Sequence, residues 1–182
     1  MGHGTAVDSE LEVIFTPEAI AGRLGELAAN VADEKLDNLL VVAILKGSFI
    51  FAADLIRALH GVGLAPEVDF MTLSSYRKSL ISSGQVSILR DMDLDVRGRN
   101  VLIVDDVLDS GRTLAFAKDL IAARGATTIK ACVLLDKKVK RAVSVEADFC
   151  AFECPDIFVV GYGMDVAHRY RELPFVGRVV KE

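Results

Sequence analysis

Short apolar runs alternating with segments of helical period constrain this chain more than any other feature. Leu39–Leu45 and Val101–Val104 are apolar throughout, and Ile129–Leu135 is interrupted only by Lys130. Runs of this length suit strands buried on both faces and fall far below the roughly 20 residues needed to cross a bilayer. Between them lie helical patterns. Thr16-Pro17 offers a cap and a first-turn proline, and Ile20, Leu24 and Leu27 follow at helical spacing, so a helix is predicted from Pro17 to Lys35. Phe49–Leu59 is a second helical segment, and Thr113–Arg124, stopped by Gly125, is a third. Val68–Leu73, Val86–Leu89 and Phe158–Val160 read as further strands. The polar, Ser-rich stretch Ser74–Gln85 reads as a loop able to move. Strand–helix alternation of this kind predicts an α/β fold with a mostly parallel central sheet flanked by helices. The 182 residues suit one domain spanning 1–182.

In such sheets ligands gather at the carboxyl ends of the strands. That rule selects Lys46-Gly47, Asp105–Thr113 and Asp136-Lys137-Lys138. The net charge of -5 gives no general attraction to nucleic acid, so a phosphate ligand needs a local device. Asp105–Thr113 supplies one. Asp105 and Asp106 follow the apolar run Val101–Val104 and repel each other unless a metal ion or a hydroxyl-rich ligand intervenes. Asp109-Ser110-Gly111-Arg112-Thr113 then opens a helix. Gly111 permits a tight turn, and the free N–H groups, the helix dipole and two hydroxyls form an anion cradle. Carboxylates beside a phosphate cradle fit a sugar phosphate. The three cysteines, Cys132, Cys150 and Cys154, lack the spacing of a zinc site or a disulfide scaffold. No basic segment followed by an apolar one opens the chain, so no signal peptide is expected and a cytoplasmic protein is.

The stretch Val101–Thr113 resembles, over all 13 positions, the phosphoribosyl-pyrophosphate signature of the type I phosphoribosyltransferases. Within that superfamily the chain is similar to the hypoxanthine-guanine phosphoribosyltransferases. The supporting pieces are Leu45-Lys46-Gly47-Ser48, Ser74-Ser75-Tyr76, Leu134–Lys138, and Pro155–Asp165 with Arg169-Tyr170-Arg171. The resemblance implies a small hood made from the N- and C-terminal segments. It also implies transfer of a 5-phosphoribosyl group from phosphoribosyl pyrophosphate (PRPP) to hypoxanthine or guanine, with Mg2+ as cofactor.

The resemblance assigns a role to each piece. Asp105, Asp106, Asp109, Ser110, Gly111, Arg112 and Thr113 would bind PRPP, with Asp109 also accepting the proton at purine N7. Lys46, Gly47 and Arg171 would hold pyrophosphate, and Ser75 and Tyr76 would belong to a closing loop. Lys137 would donate to the purine 6-oxo group, Phe158 would stack on the ring, the backbone of Val159 would meet its edge, and Asp165 would also belong to the purine site. Asp105, Asp106 and Asp165 would carry magnesium, Asp165 a second ion. Lys138, Lys140 and Arg141 read as surface charges. The family often has a cis peptide between the residues at Leu45 and Lys46. It commonly has Glu where this chain has Asp105, which keeps the carboxylate but shortens its reach. A homodimer or homotetramer is implied, without nucleic acid or membrane partners. The competing readings are a xanthine-preferring transferase and a non-catalytic nucleotide sensor of the same fold.

Overall fold

A computed structural model describes residues 11–75 and 85–180, with the side chains of Ser75 and Lys140 left out. The elements run β1 (Leu11–Phe15), α1 (Pro17–Asp33), β2 (Leu39–Leu45), α2 (Phe49–Gly61), β3 (Glu67–Ser75) and β4 (Val86–Arg90). They continue with β5 (Asn100–Leu108), α3 (Arg112–Ala123), β6 (Thr128–Asp136), β7 (Phe149–Glu153) and β8 (Val176–Val179). A single 3-10 turn, Lys138–Lys140, follows β6. Six strands form one sheet in the order β4-β3-β2-β5-β6-β7, parallel except for β4 at one edge. The α/β fold with a mostly parallel sheet is therefore as expected.

Alternation along the central strands sorts the core into two layers. Val41 and Ala43 of β2, with Leu102 and Val104 of β5, face Ile20, Leu24, Leu27, Phe51 and Leu55 of α1 and α2. Leu40, Val42, Val101 and Ile103 face Leu114, Ala117 and Ile121 of α3 on the other side. Thr16 caps α1 as expected, its hydroxyl accepting from the Ala19 N–H at 3.1 Å with Pro17 in the first turn. No described helix is long and apolar enough to cross a membrane.

Three departures from expectation bear on the site. First, β5 does not stop at Val104. It runs to Leu108, because its pairing with β6 continues through Asp105↔Val133 and Val107↔Leu135 to Leu108↔Asp136. Asp105 and Asp106 are thus strand residues rather than an acidic turn, and successive strand side chains leave on opposite faces. Second, Phe158–Val160 is not a strand. The sheet already ends at β7, which was not anticipated, and only Val160 makes a bridge, to Gly177. Third, Leu11–Phe15 and Val176–Val179 pair antiparallel as β1 and β8, forming a separate two-stranded sheet from the two ends of the chain. This matches the implied hood, although neither strand was foreseen.

Candidate active site

β2, β5 and β6 are adjacent and parallel, so their carboxyl ends bring Lys46, Asp105–Asp109 and Lys137 to one edge of the sheet. The first corner is built on Gly47. The Leu45–Lys46 peptide is cis, and Lys46 is exposed. Ser48, fully buried, donates from its hydroxyl to the Ile44 carbonyl at 2.5 Å and ties the turn back to β2. A Cβ on Gly47 would overlap the Asp106 carboxylate. A Cβ on Gly163 would meet the Gly47 carbonyl oxygen at 2.7 Å. Three segments far apart in sequence therefore touch through two glycines. If this corner holds PRPP as the resemblance implies, Gly47→Ala should push the Asp106 carboxylate aside and raise the KM for that ligand roughly tenfold, without global unfolding. Steady-state kinetics beside a thermal melt check this, and an unchanged KM would contradict it.

The loop that opens α3 is the second corner. Gly111 is the N-cap residue with φ 84°, and no side chain caps the helix. Substitution there is doubly excluded, by the left-handed backbone and by Val145 Cγ1 and the Val143 carbonyl oxygen, 2.7 and 3.0 Å from an added Cβ. The Arg112 N–H reaches Ser110 Oγ at 3.4 Å, a weak contact. Backbone N–H groups at an uncapped helix start suit an anion. The helix begins at Arg112, one residue before the predicted start.

The third corner lies beyond β6. Lys137 is buried, and its ammonium donates to the Ile157 carbonyl at 2.7 Å. Phe158, the next residue, is 59% exposed, whereas Val159 is buried. Lys138 is a surface charge as expected and pairs with Glu153. Arg141 is not. Its guanidinium is mostly enclosed, donating to the Asp109 carbonyl at 2.8 Å and to Asp136 Oδ1 at 2.5 Å. The expectation failed because the segment after the 3-10 turn folds back under the phosphate loop. The side chain of Lys140 and all of Tyr76 lie outside the described residues, and Ser75 closes β3 with its side chain undescribed.

The segment from Gly161 to Arg171 closes the site from the hood side. Tyr162, Ala167, His168 and Tyr170 all have positive φ, an unusual density of left-handed backbone for residues with side chains. Tyr162 donates to Asp54 Oδ2 of α2 at 2.5 Å. Burial, reinforced by that carboxylate, pushes its phenol well above the usual range. Asp165 Oδ2 accepts from the His168 N–H at 2.8 Å, and Asp165 Oδ1 lies 3.1 Å from the Arg171 guanidinium. Arg171 also donates to the Gly163 carbonyl at 2.6 Å. Gly163 touches Gly47, so Arg171 and Asp165 belong to the same corner as Asp106.

Among the described residues no three His, Cys, Asp or Glu side chains converge as a metal site. Asp106 and Asp165 lie at one corner, joined through Gly47 and Gly163, and each brings a single carboxylate. That pattern suits magnesium, which keeps waters and substrate oxygens around one or two carboxylates, and it does not suit zinc. The cysteines offer no nucleophile. Burial raises the Cys132 thiol far above its usual range, and burial together with Asp136 pushes Cys150 up to about 11.

A helix start without a side-chain cap, carboxylates on neighbouring strands and a buried lysine next in line to an exposed ring thus share one edge of the sheet, where a sugar phosphate is expected from the sequence. The model of the phosphoribosyl transferase domain matches residues 12–167. The chain is 42% identical over 173 residues to the hypoxanthine phosphoribosyltransferase of Escherichia coli K12, covering 93% of this chain and 96% of that protein. It is 45% identical over 167 residues to the hypoxanthine-guanine phosphoribosyltransferase of Bacillus subtilis, covering 91% of each. A solved hypoxanthine phosphoribosyl transferase from Trypanosoma cruzi superimposes with a TM-score of 0.87 at 37% identity, over 93% of this chain and 91% of that one. The chain belongs to the phosphoribosyltransferase family, among its hypoxanthine and hypoxanthine-guanine members.

Proposed function

We propose that this protein, acting as one domain, transfers the 5-phosphoribosyl group of PRPP to hypoxanthine or guanine, giving IMP or GMP and pyrophosphate. One observation carries the choice of base. Among the described residues the buried Lys137 ammonium has a single acceptor, the Ile157 carbonyl, and the exposed ring of Phe158 follows directly in sequence. An ammonium has three donors. The remaining ones suit a purine 6-oxo group, with the ring lying on Phe158. Adenine would present an amino donor there and leave the lysine unmatched.

In the reaction the bond from ribose C1′ to the pyrophosphate oxygen breaks, and its electron pair leaves with pyrophosphate. Purine N9 bonds to C1′, and the proton at N7 passes to the Asp109 carboxylate. The N–H groups from Ser110 to Thr113 hold the 5′-phosphate, and Lys46, Gly47 and Arg171 hold the departing pyrophosphate. Asp105 and Asp106 orient the ribose hydroxyls. Asp105, Asp106 and Asp165 would carry magnesium, which when bound neutralises charge on the leaving group. Arg171 now rests against Asp165, so the pair must share or exchange partners once pyrophosphate is present. Val159 contributes backbone to the purine edge, and Ser75 and Tyr76 belong to a segment that excludes water. A homodimer or homotetramer in the cytoplasm, without nucleic acid or membrane partners, completes the reading.

Steady-state kinetics with hypoxanthine, guanine, xanthine and adenine at fixed PRPP and magnesium test it. Turnover of hypoxanthine or guanine well above the other two is expected. Preference for xanthine would move the assignment to that base, and no turnover of any base would favour a sensor.

A further inference from the structure

The peptide orientation of the phosphate loop is held from behind, by residues to which the reaction scheme gives no role. Arg141 donates to the Asp109 carbonyl at 2.8 Å, and the N–H groups of Ala142 and Val143 both donate to the Ser110 carbonyl, at 2.8 and 3.1 Å. In a trans peptide the carbonyl and the following N–H point in opposite directions. Fixing those two carbonyls toward residues 141–143 therefore turns the N–H groups of Ser110 and Gly111 to the other side of the loop. Val143, Val145 and the Arg141 stem fill the space where a Gly111 side chain would stand, so an anion has to approach from the side of those N–H groups. Successive N–H groups presented together form an anion-binding nest.

Arg141 does not reach the loop unaided. Its second amino group is held by Asp136 Oδ1 at 2.5 Å, with 18% and 9% of the two side chains exposed. A planar guanidinium can bridge a carboxylate and a carbonyl in one fixed geometry, which a lysine ammonium cannot reproduce. Asp136 is also the residue before Lys137, whose own N–H donates to the Leu108 carbonyl at 2.9 Å. The ends of β5 and β6 are thereby locked together at the point where phosphate and purine recognition would meet.

We propose that Arg141, braced by Asp136, is a positioning residue that orients the phosphate loop and so sets affinity for the 5′-phosphate of the ribosyl substrate. The inference rests on the phosphoribosyl-transfer reading. It predicts a loss specific to phosphorylated ligands, which a role in stability alone would not produce.

The test compares the dissociation constants of GMP and guanosine, which differ by the 5′-phosphate, in the full chain and in Arg141→Ala, Arg141→Lys and Asp136→Asn. Arg141→Ala should weaken GMP roughly 10- to 30-fold, the scale of one charge-assisted hydrogen bond, and leave guanosine within about twofold. The KM for PRPP should rise in parallel. Arg141→Lys should fall between, because one ammonium reaches one acceptor at a time. Asp136→Asn keeps an acceptor oxygen and serves if Arg141→Ala does not fold; its GMP affinity should drop roughly threefold with guanosine unchanged. Equal loss of GMP and guanosine, or no loss of GMP, overturns the positioning role. Failure of the unsubstituted protein to turn over any base overturns the transferase reading instead, so the two failures are distinguishable.

Discussion

Asp109→Asn is expected to lower kcat by roughly 10²–10³-fold, the scale of losing a general base, while the fold survives. The replacement is nearly isosteric, and an amide oxygen still accepts a hydrogen bond, but it does not take the proton from purine N7. The backbone around it should stay in place. The carbonyl of residue 109 is anchored by Arg141, and Leu108 before it is buried at the end of β5. The proposed phosphate cradle is made of backbone N–H groups in Ser110–Thr113, so the KM for PRPP should change far less than kcat. Single-turnover measurements with saturating PRPP separate the two effects. Near-normal turnover would remove the proton-acceptor role. A KM rise matching the kcat loss would relocate Asp109 to substrate binding.

Much of the candidate site is legible in the sequence because its signals are local. Asp109-Ser110-Gly111-Arg112-Thr113 is contiguous, and Gly111 takes the left-handed conformation at the helix start that a residue without a side chain permits. The α1 cap and the three buried strands were legible for the same reason. The misses share a physical cause. Acidic residues are depleted in strands, so the sequence argued for a turn at Asp105; pairing with β6 outweighed that preference. Phe158–Val160 has strand-like composition, but of the three only Val160 bridges to a strand, at Gly177. β1 and β8 are partly exposed, and each finds its partner at the opposite end of the chain. Arg141 looked like one more charge in a basic stretch. Its role depends on the chain folding back after β6, and no spacing rule reports that. Likewise, Gly163 has meaning only once it packs against the Gly47 carbonyl.

The proposed function rests the choice of base on a single side chain, so Lys137→Met should have the other large effect. Met keeps an apolar stem of similar length and removes all three donors, which separates donation from packing. Loss of a hydrogen bond from a charged donor at a buried position is expected to lower kcat/KM for hypoxanthine by roughly 10²-fold, the upper range for such a bond. Lys137→Ala should do the same or slightly worse, because it also empties the space around a buried stem. Adenine should respond differently. Its 6-amino group gains nothing from an ammonium, so its low rate should hold or rise, and the hypoxanthine-to-adenine ratio should collapse toward one. The Ile157 carbonyl loses its donor in either variant, and Phe158 follows it directly, so some loss of ring stacking is expected for every base. That common loss is why the ratio, rather than either rate, is the decisive quantity. If hypoxanthine and adenine rates fell together, Lys137 would be acting through the 157–158 backbone, and specificity would have to come from the groups at the purine edge near Val159 and Asp165.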